Sequence, residues 1–333
     1  MRAGAGAKKA STKPLRAAVV GVGYLGRYHA EKYAAHPDAE LVAVVDIDGE
    51  RARAVGAELG VEAVTDVRPL AGRIDCASVS VPTQQHFAVA RDLLEAGVDV
   101  LVEKPLTGTV EEGKKLVELA VRHGRVLQVG HLERFNPAVL ALDGLVTQPR
   151  FIECHRLAPF TERGTDVDVV LDLMIHDLDV ILSMVPSALR SVEAVGVPVL
   201  TPSVDIANAR LRFANGCIAN VTASRVSLKR ERKLRIFQAD AYLSVDYGER
   251  RVRLCRREPD EGGQPALIIE DREVPEGDAL ESEIGAFLRA VRERKPPPVS
   301  GWDGLRALEV VQVIRESLEA EVRAAQVASG ERR

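Results

Sequence analysis

With 333 residues, the chain is long enough for two domains of roughly 150 residues, each burying its own core. Hydrophobic residues make up 46% and charged residues 28%, with a net charge of -4, a balance that fits an ordinary soluble globular protein and disfavours bulk nucleic-acid binding. No apolar run approaches the roughly 18 residues of a membrane span and the N-terminus lacks the apolar core of a secretory signal, so a cytoplasmic protein without a membrane partner is expected.

Residues 1–14, MRAGAGAKKASTKP, carry four basic side chains and no acid, which predicts a disordered tail outside the fold. From Leu15 to about Gly130 the apolar runs LRAAVV, ELVAVV, IDCASVSV, VDVLV and RVLQVG alternate with helix-like stretches. This is a βαβ series and predicts a doubly wound parallel sheet. After Gly130 come a helical segment from about Asp166 to Met184 and the alternating runs SVEAVGV, IANARLRFA, CIANVTASRV, KLRIFQA, AYLSVDY and RVRLCRR. Asn215-Gly216 marks a hairpin between two of them. These runs predict an α+β domain with a large, mostly antiparallel sheet. Helices at about Ala279–Glu293 and Trp302–Ala325, separated by KPPP, close the chain. The expected division is a dinucleotide-binding domain over 15–135 and a substrate domain over 136–330, with the closing helix free to pack back on the first. Cys76, Cys154, Cys217 and Cys255 form no CxxC pair and are expected as reduced core thiols, with neither a zinc site nor disulfides.

Directly after the first predicted strand stands Gly21-Val22-Gly23-Tyr24-Leu25-Gly26. Glycines there permit a tight turn, close approach of backbone to a pyrophosphate and close helix packing, while the helix N-terminus faces the phosphates. Asp46 ends the second strand, twenty residues after Gly26, where a carboxylate accepts the ribose hydroxyls of a dinucleotide. The same carboxylate would face the extra phosphate of NADP, so NAD is the expected cofactor. Arg51 falls within the next helix pattern and is expected on a solvated face. Val81-Pro82-Thr83 ends a buried strand, where open parallel sheets bind ligands; His86 follows, placed either to cap and pack or to meet the cofactor.

The segment DVDVVLDLMIHDLDVILSMV is strongly apolar. On an ideal helix, Asp168, Asp172, His176 and Asp179 fall within roughly 40° of one line. An imidazole beside carboxylates can titrate near neutrality, which suits His176 as a general base. Thr165-x-x-Asp168 also fits a capping box, which leaves Asp168 outside the candidate site, and Asp179 also fits a structural acid.

The glycine motif, Val81-Pro82-Thr83 with His86, Glu103-Lys104-Pro105, His131, Arg134-Phe135-Asn136-Pro137, the Asp172-x-x-x-His176 pair and the closing PPVSGWDGLRALEVV together resemble the Gfo/Idh/MocA oxidoreductases over nearly the whole chain. The resemblance implies a Lys104-Pro105 peptide bond in the cis form and a lysine that reaches substrate and nicotinamide. It implies Lys104, Asp172 and His176 as catalytic groups without a metal. It places Gly21, Gly23, Tyr24, Leu25, Gly26, Asp46, Val81, Pro82, Thr83, His86, Glu103, Lys104, His131 and Arg134 around NAD. The stretches VGHLERFNP and RFIECHRLAPFTERGTDVDVVLDLMIHDLD look like the family's nucleotide-sugar branch. That implies oxidation at carbon 3 of UDP-N-acetylglucosamine for an amino-sugar lipid A precursor, with an aminotransferase downstream. Lys104, Asp172 and His176 would then meet the sugar, and Arg156 and Arg163 its diphosphate. Other members act on the uronic-acid form, on free sugars or inositols, or serve as non-catalytic regulators; homodimers or homotetramers are common among them.

Overall fold

The computed structural model describes residues 13–161, 167–259 and 264–329. The first part of the chain forms six strands, β1 (Leu15–Val20), β2 (Ala39–Val45), β3 (Glu62–Val64), β4 (Cys76–Val79), β5 (Asp99–Glu103) and β6 (Leu127–Gly130). Each pairs in parallel, in the order β3-β2-β1-β4-β5-β6. Helices α1 (Tyr24–Ala35), α2 (Gly49–Leu59), α3 (Thr83–Glu95) and α4 (Val110–Arg122) make the crossovers. The Val- and Ala-rich strands are covered on both faces, which is why β4 is buried at every position rather than at alternate ones. The order reverses between β1 and β4, so the ends of these two strands form the switch point where doubly wound sheets bind ligands. The edge strand β3 was not anticipated, because three residues are too short for a hydrophobic pattern.

The second sheet contains β7 (Phe151–Leu157), β8 (Leu189–Val197), β9 (Ile206–Phe213), β10 (Ile218–Ser224), β11 (Glu231–Phe237), β12 (Ala241–Asp246), β13 (Arg251–Pro259) and β14 (Pro265–Glu273). Its order is β14-β13-β12-β11-β7-β10-β9-β8, antiparallel except for the β7–β10 pair. A 3-10 turn Leu132–Phe135, the short α5 (Pro137–Leu140) and α6 (Ile175–Met184) belong to the same part of the chain. The period of two is plain in β9 and β10, whose Ala207, Ala209, Leu211, Ala219, Val221 and Ala223 are all buried on one face. β7 and β14 were not among the anticipated strands.

The helices α7 (Ala279–Glu293) and α8 (Gly301–Ser329) end the chain. Two compact units result: one holds the chain up to Gly130 with Leu280–Gly304, the other His131–Ala279 and the chain from Leu305 onward. The expected division at 135/136 therefore shifts at both ends. Residues 131–135 lie with the second unit, and α7 lies with the first, because Ile284, Phe287, Leu288 and Val291 join Ala30, Tyr33 and Leu101 in one apolar core. Of the expected tail, residues 1–12 lie outside the described residues, and the Lys13 carbonyl accepts a hydrogen bond from Arg292. Cys76, Cys154 and Cys217 are buried free thiols, and Cys255 is half-buried.

Candidate active site

In the first unit the three loop glycines have separate physical reasons. Gly21 has φ +83, and a Cβ there would lie 2.6 Å from the Ser80 carbonyl oxygen; only glycine suits that turn. At Gly26 a Cβ would fall 1.7 Å from the Gly21 oxygen, so the third glycine lets α1 pack against the loop. Gly23 has nothing within 4 Å of its Cβ position and is the N-cap of α1. It is the open side of the loop, where a pyrophosphate can approach the helix N-terminus. Tyr24 and Leu25, next along, are exposed.

Asp46 is buried at the end of β2 and binds the same loop, accepting the Val22 N–H at 3.0 Å and the Asp48 N–H at 2.9 Å. Arg51 lies exposed on α2, as expected, and makes a further contact. Its guanidinium reaches Asp46 at 3.2 Å, because the turn into α2 brings the first helical turn back over the strand end.

Lys104-Pro105 is a cis peptide bond and Lys104 is half-buried at the end of β5. Its backbone N–H donates to the Glu103 carboxylate at 3.1 Å, and the other Glu103 oxygen is 2.9 Å from His29 Nε2. Burial alone would raise the Glu103 pKa, but the His29 hydrogen bond and the Lys104 charge hold it below the usual carboxylate value. His86 packs, one of the two roles expected of it. Its ring nitrogens lie 2.8 Å from the Pro105 carbonyl and 2.9 Å from that of Val81, within a buried site, and burial lowers its pKa. The ring thus sits between the Val81-Pro82-Thr83 turn and the Lys104-Pro105 turn, and in its neutral form its single N–H donates to one of the two carbonyls. Pro82 of that turn is exposed, and Thr83 opens α3.

In the second unit the stripe of four polar residues is broken. Val170–Met174 form a π-helical turn, whose bonds run one residue further along the chain than those of an α-helix and rotate everything beyond it. Asp168 caps the segment, accepting the Val170 and Leu171 N–H groups at 3.0 Å, and pairs with Arg315 of α8. It therefore closes the helix start as an N-cap; Thr165, the partner of the expected capping box, lies outside the described residues. Asp179 is buried and lies 3.5 Å from Arg134, which gives Asp179 a structural partner and engages the arginine expected at the cofactor. His131 is buried and starts the adjoining 3-10 turn. Asp172 and His176 remain half-buried, one in the π turn and the other in the first turn of α6.

Arg156 departs most from expectation. It is 3% exposed, and its guanidinium meets Asp177 with two bonds of 2.7 and 2.8 Å and Glu133 at 3.5 Å. Burial would lower its pKa, but the Asp177 charge holds it well above the ordinary arginine value. A fork so occupied does not serve a diphosphate. The missed signal lay in the strand period, since FIECHRL puts Arg156 in phase with buried Ile152 and Cys154 and demands an internal anion. Asp177, off the expected stripe, is that anion. Arg163 lies outside the described residues.

The oxidoreductase family model with an NAD-binding Rossmann fold matches residues 15–131, and the GFO/IDH/MocA C-terminal domain matches 139–244. The chain belongs to the Gfo/Idh/MocA oxidoreductase family. A UDP-N-acetylglucosamine 3-dehydrogenase of Acidithiobacillus ferrooxidans is 40% identical over 92% of this chain and 98% of its own. A solved structure of that enzyme superposes with a TM-score of 0.86 at the same coverage. A myo-inositol 2-dehydrogenase of Thermotoga maritima is 26% identical over 92% of this chain and 96% of its own. The Gfo/Idh/MocA cofactor is NAD, and the first unit fits it: open space over Gly23, the α1 N-terminus behind it, and the Asp46 carboxylate at the end of β2. Among the described residues no helix is long and apolar enough to cross a membrane.

Proposed function

We propose that this oxidoreductase oxidises the carbon 3 hydroxyl of UDP-N-acetylglucosamine to the ketone. The observation that carries the reading is the 40% identity, over almost the full length of both chains, to an enzyme named for that reaction. When bound, NAD supplies the hydride acceptor at carbon 4 of its nicotinamide. The chain's own residues handle the proton and the charge. His176 takes the hydroxyl proton as general base, Lys104 stabilises the negative charge developing on the same oxygen, and Asp172 orients the imidazole or the neighbouring sugar hydroxyls. Lys104 suits the task because its backbone is pinned by Glu103 and lies in the turn that His86 packs against. With Arg156 committed to Asp177, the diphosphate is left to Arg163 and other groups.

The keto sugar would pass to an aminotransferase, towards an amino-sugar lipid A precursor made in the cytoplasm. The enzyme would act as a homodimer or homotetramer. The test is a coupled assay, because oxidation of such an alcohol by NAD runs uphill unless product is removed. Protein, NAD and UDP-N-acetylglucosamine are incubated with the aminotransferase or a trapping amine, and mass spectrometry seeks the two-hydrogen loss or the aminated product. A second reading, favoured by the myo-inositol 2-dehydrogenase relative, is oxidation of a free polyol. Conversion of an inositol, or of the uronic-acid nucleotide sugar, with none of UDP-N-acetylglucosamine would move the assignment. Tight NAD binding without turnover of any of them would point to a regulator.

A further inference from the structure

We propose that His29 is a positioning residue for the reaction, linking the phosphate-facing helix α1 to the strand end that carries Lys104. His29 is 1% exposed. Its Nε2 lies 2.9 Å from Glu103 and its Nδ1 3.1 Å from the Ser78 hydroxyl, which is 3.0 Å from the hydroxyl of Tyr33. An ionised carboxylate only accepts, so Nε2 carries hydrogen. Tyr33 then donates to Ser78 and Ser78 to Nδ1, and each buried group is satisfied in one direction. The chain ends on Glu103, whose second oxygen accepts the Lys104 N–H at 3.1 Å. A single carboxylate thus touches both α1 and the backbone of Lys104. Gly130 leaves room for it, since a Cβ there would lie 3.0 Å from that second oxygen.

Two features separate this from ordinary packing. A histidine and a carboxylate inside an apolar core carry a desolvation cost that leucine or valine would avoid. The site also has more charge than structure requires, because the carboxylate of Glu283 on α7 brings a ligand atom within 4.8 Å of those of His29 and Glu103. The charged and titratable groups around His29 are therefore Glu103 from β5, Glu283 from α7 and, through the Ser78 hydroxyl, Tyr33 on its own helix, with Cys76 of β4 beyond Tyr33 and Lys104 beyond Glu103. The Glu103 anion beside Lys104 favours the charged ammonium. Loss of the His29 donor leaves that carboxylate ionised but untethered, with more of its charge available to the ammonium.

The proposal rests on Lys104 acting in the reaction, and its test has a readout that does not. Holoenzyme is labelled with acetic anhydride across pH, and mass spectrometry of the Lys104 peptide gives the apparent pKa of the amine. Glu103→Gln is expected to lower that pKa, and His29→Ala, which leaves the carboxylate ionised and untethered, to raise it. Both should also cut kcat by about 10- to 100-fold, the scale of a small misplacement of a reacting group, with NAD affinity little changed. His29→Gln, which restores a donor towards Glu103, should recover most of the loss. If His29→Ala does not fold, Ser78→Ala keeps the imidazole and Glu103 and should shift both readouts in the same direction by less. Wild-type labelling and kcat in a folded His29 variant would overturn the proposal, as would a loss that His29→Gln does not rescue. Turnover lost to a chelator and restored by Mn²⁺ or Zn²⁺ would make the cluster a metal site instead. Full turnover in Lys104→Ala would sink the reading of Lys104 while leaving the labelling result to judge the link from His29.

Discussion

Arg156 and Asp177 form a bidentate ion pair at 2.7 and 2.8 Å, with both side chains buried, between β7 and α6. The pair fixes the helix that carries His176, one residue before Asp177. Removing one member strands the other as an uncompensated buried charge. Asp177→Ala or Arg156→Ala should therefore cost about 3–5 kcal/mol, against a total stability of about 5–15 kcal/mol. The double change Arg156→Met with Asp177→Leu should cost much less. Urea unfolding of the three variants decides the matter, and a mild effect of Arg156→Ala on stability with a large rise in substrate KM would return that arginine to the diphosphate.

NAD should bind more tightly than NADP, because a carboxylate at the end of β2, as Asp46 is, would repel the extra phosphate. The 3.2 Å contact with Arg51 adds a second expectation. In Asp46→Ala the guanidinium is released to meet a 2′-phosphate, and the preference should fall by about tenfold or reverse. In Arg51→Ala the discrimination against NADP should sharpen. Calorimetric titration of both dinucleotides measures the ratios; unchanged ratios would reduce Asp46 to a brace for the glycine loop through its Val22 bond.

His176→Ala should lower turnover by about 10² to 10⁴, the usual contribution of a general acid or base, and leave NAD affinity nearly as it was. Wild-type turnover of this variant from pH 6 to pH 9 would place the base elsewhere, with Lys104 the first group to examine.

Acid stability should depend on Asp205. Its carboxylate is buried and accepts the N–H groups of Val199, Leu200 and Thr201 at 2.8, 2.6 and 2.8 Å. Burial pushes its pKa up, but these bonds and the Thr201 hydroxyl prevail and bring it down to about 2. The native value lies below the unfolded value of about 3.9. The ionised group therefore favours the fold above about pH 4, and that contribution is lost as pH falls towards about 2. Asp205→Asn should lower Tm at neutral pH and flatten its fall between about pH 4 and pH 2. A Tm curve parallel to wild type across that range would show that other acids control it.

Local pattern was enough for much of this protein. Val- and Ala-rich strands separated by amphipathic helices imply a parallel sheet, the three glycines imply a phosphate turn, and Asp46 falls where β2 ends, because each depends only on neighbours within a few turns of chain. The ends of α7 were legible for the same reason. The roles of individual polar side chains were not. Whether Arg156 faces a substrate or Asp177 depends on which face of β7 is covered, and Arg51 reaches Asp46 only once α2 turns back over the strand. The π turn at Val170–Met174 rotates Asp168 away from His176 in a way that no ideal 100° wheel contains. His29 shows the limit most clearly: its partners Ser78 and Glu103 are 49 and 74 residues away. A buried polar atom must find its partner in space, and spacing along the chain does not say which one it finds.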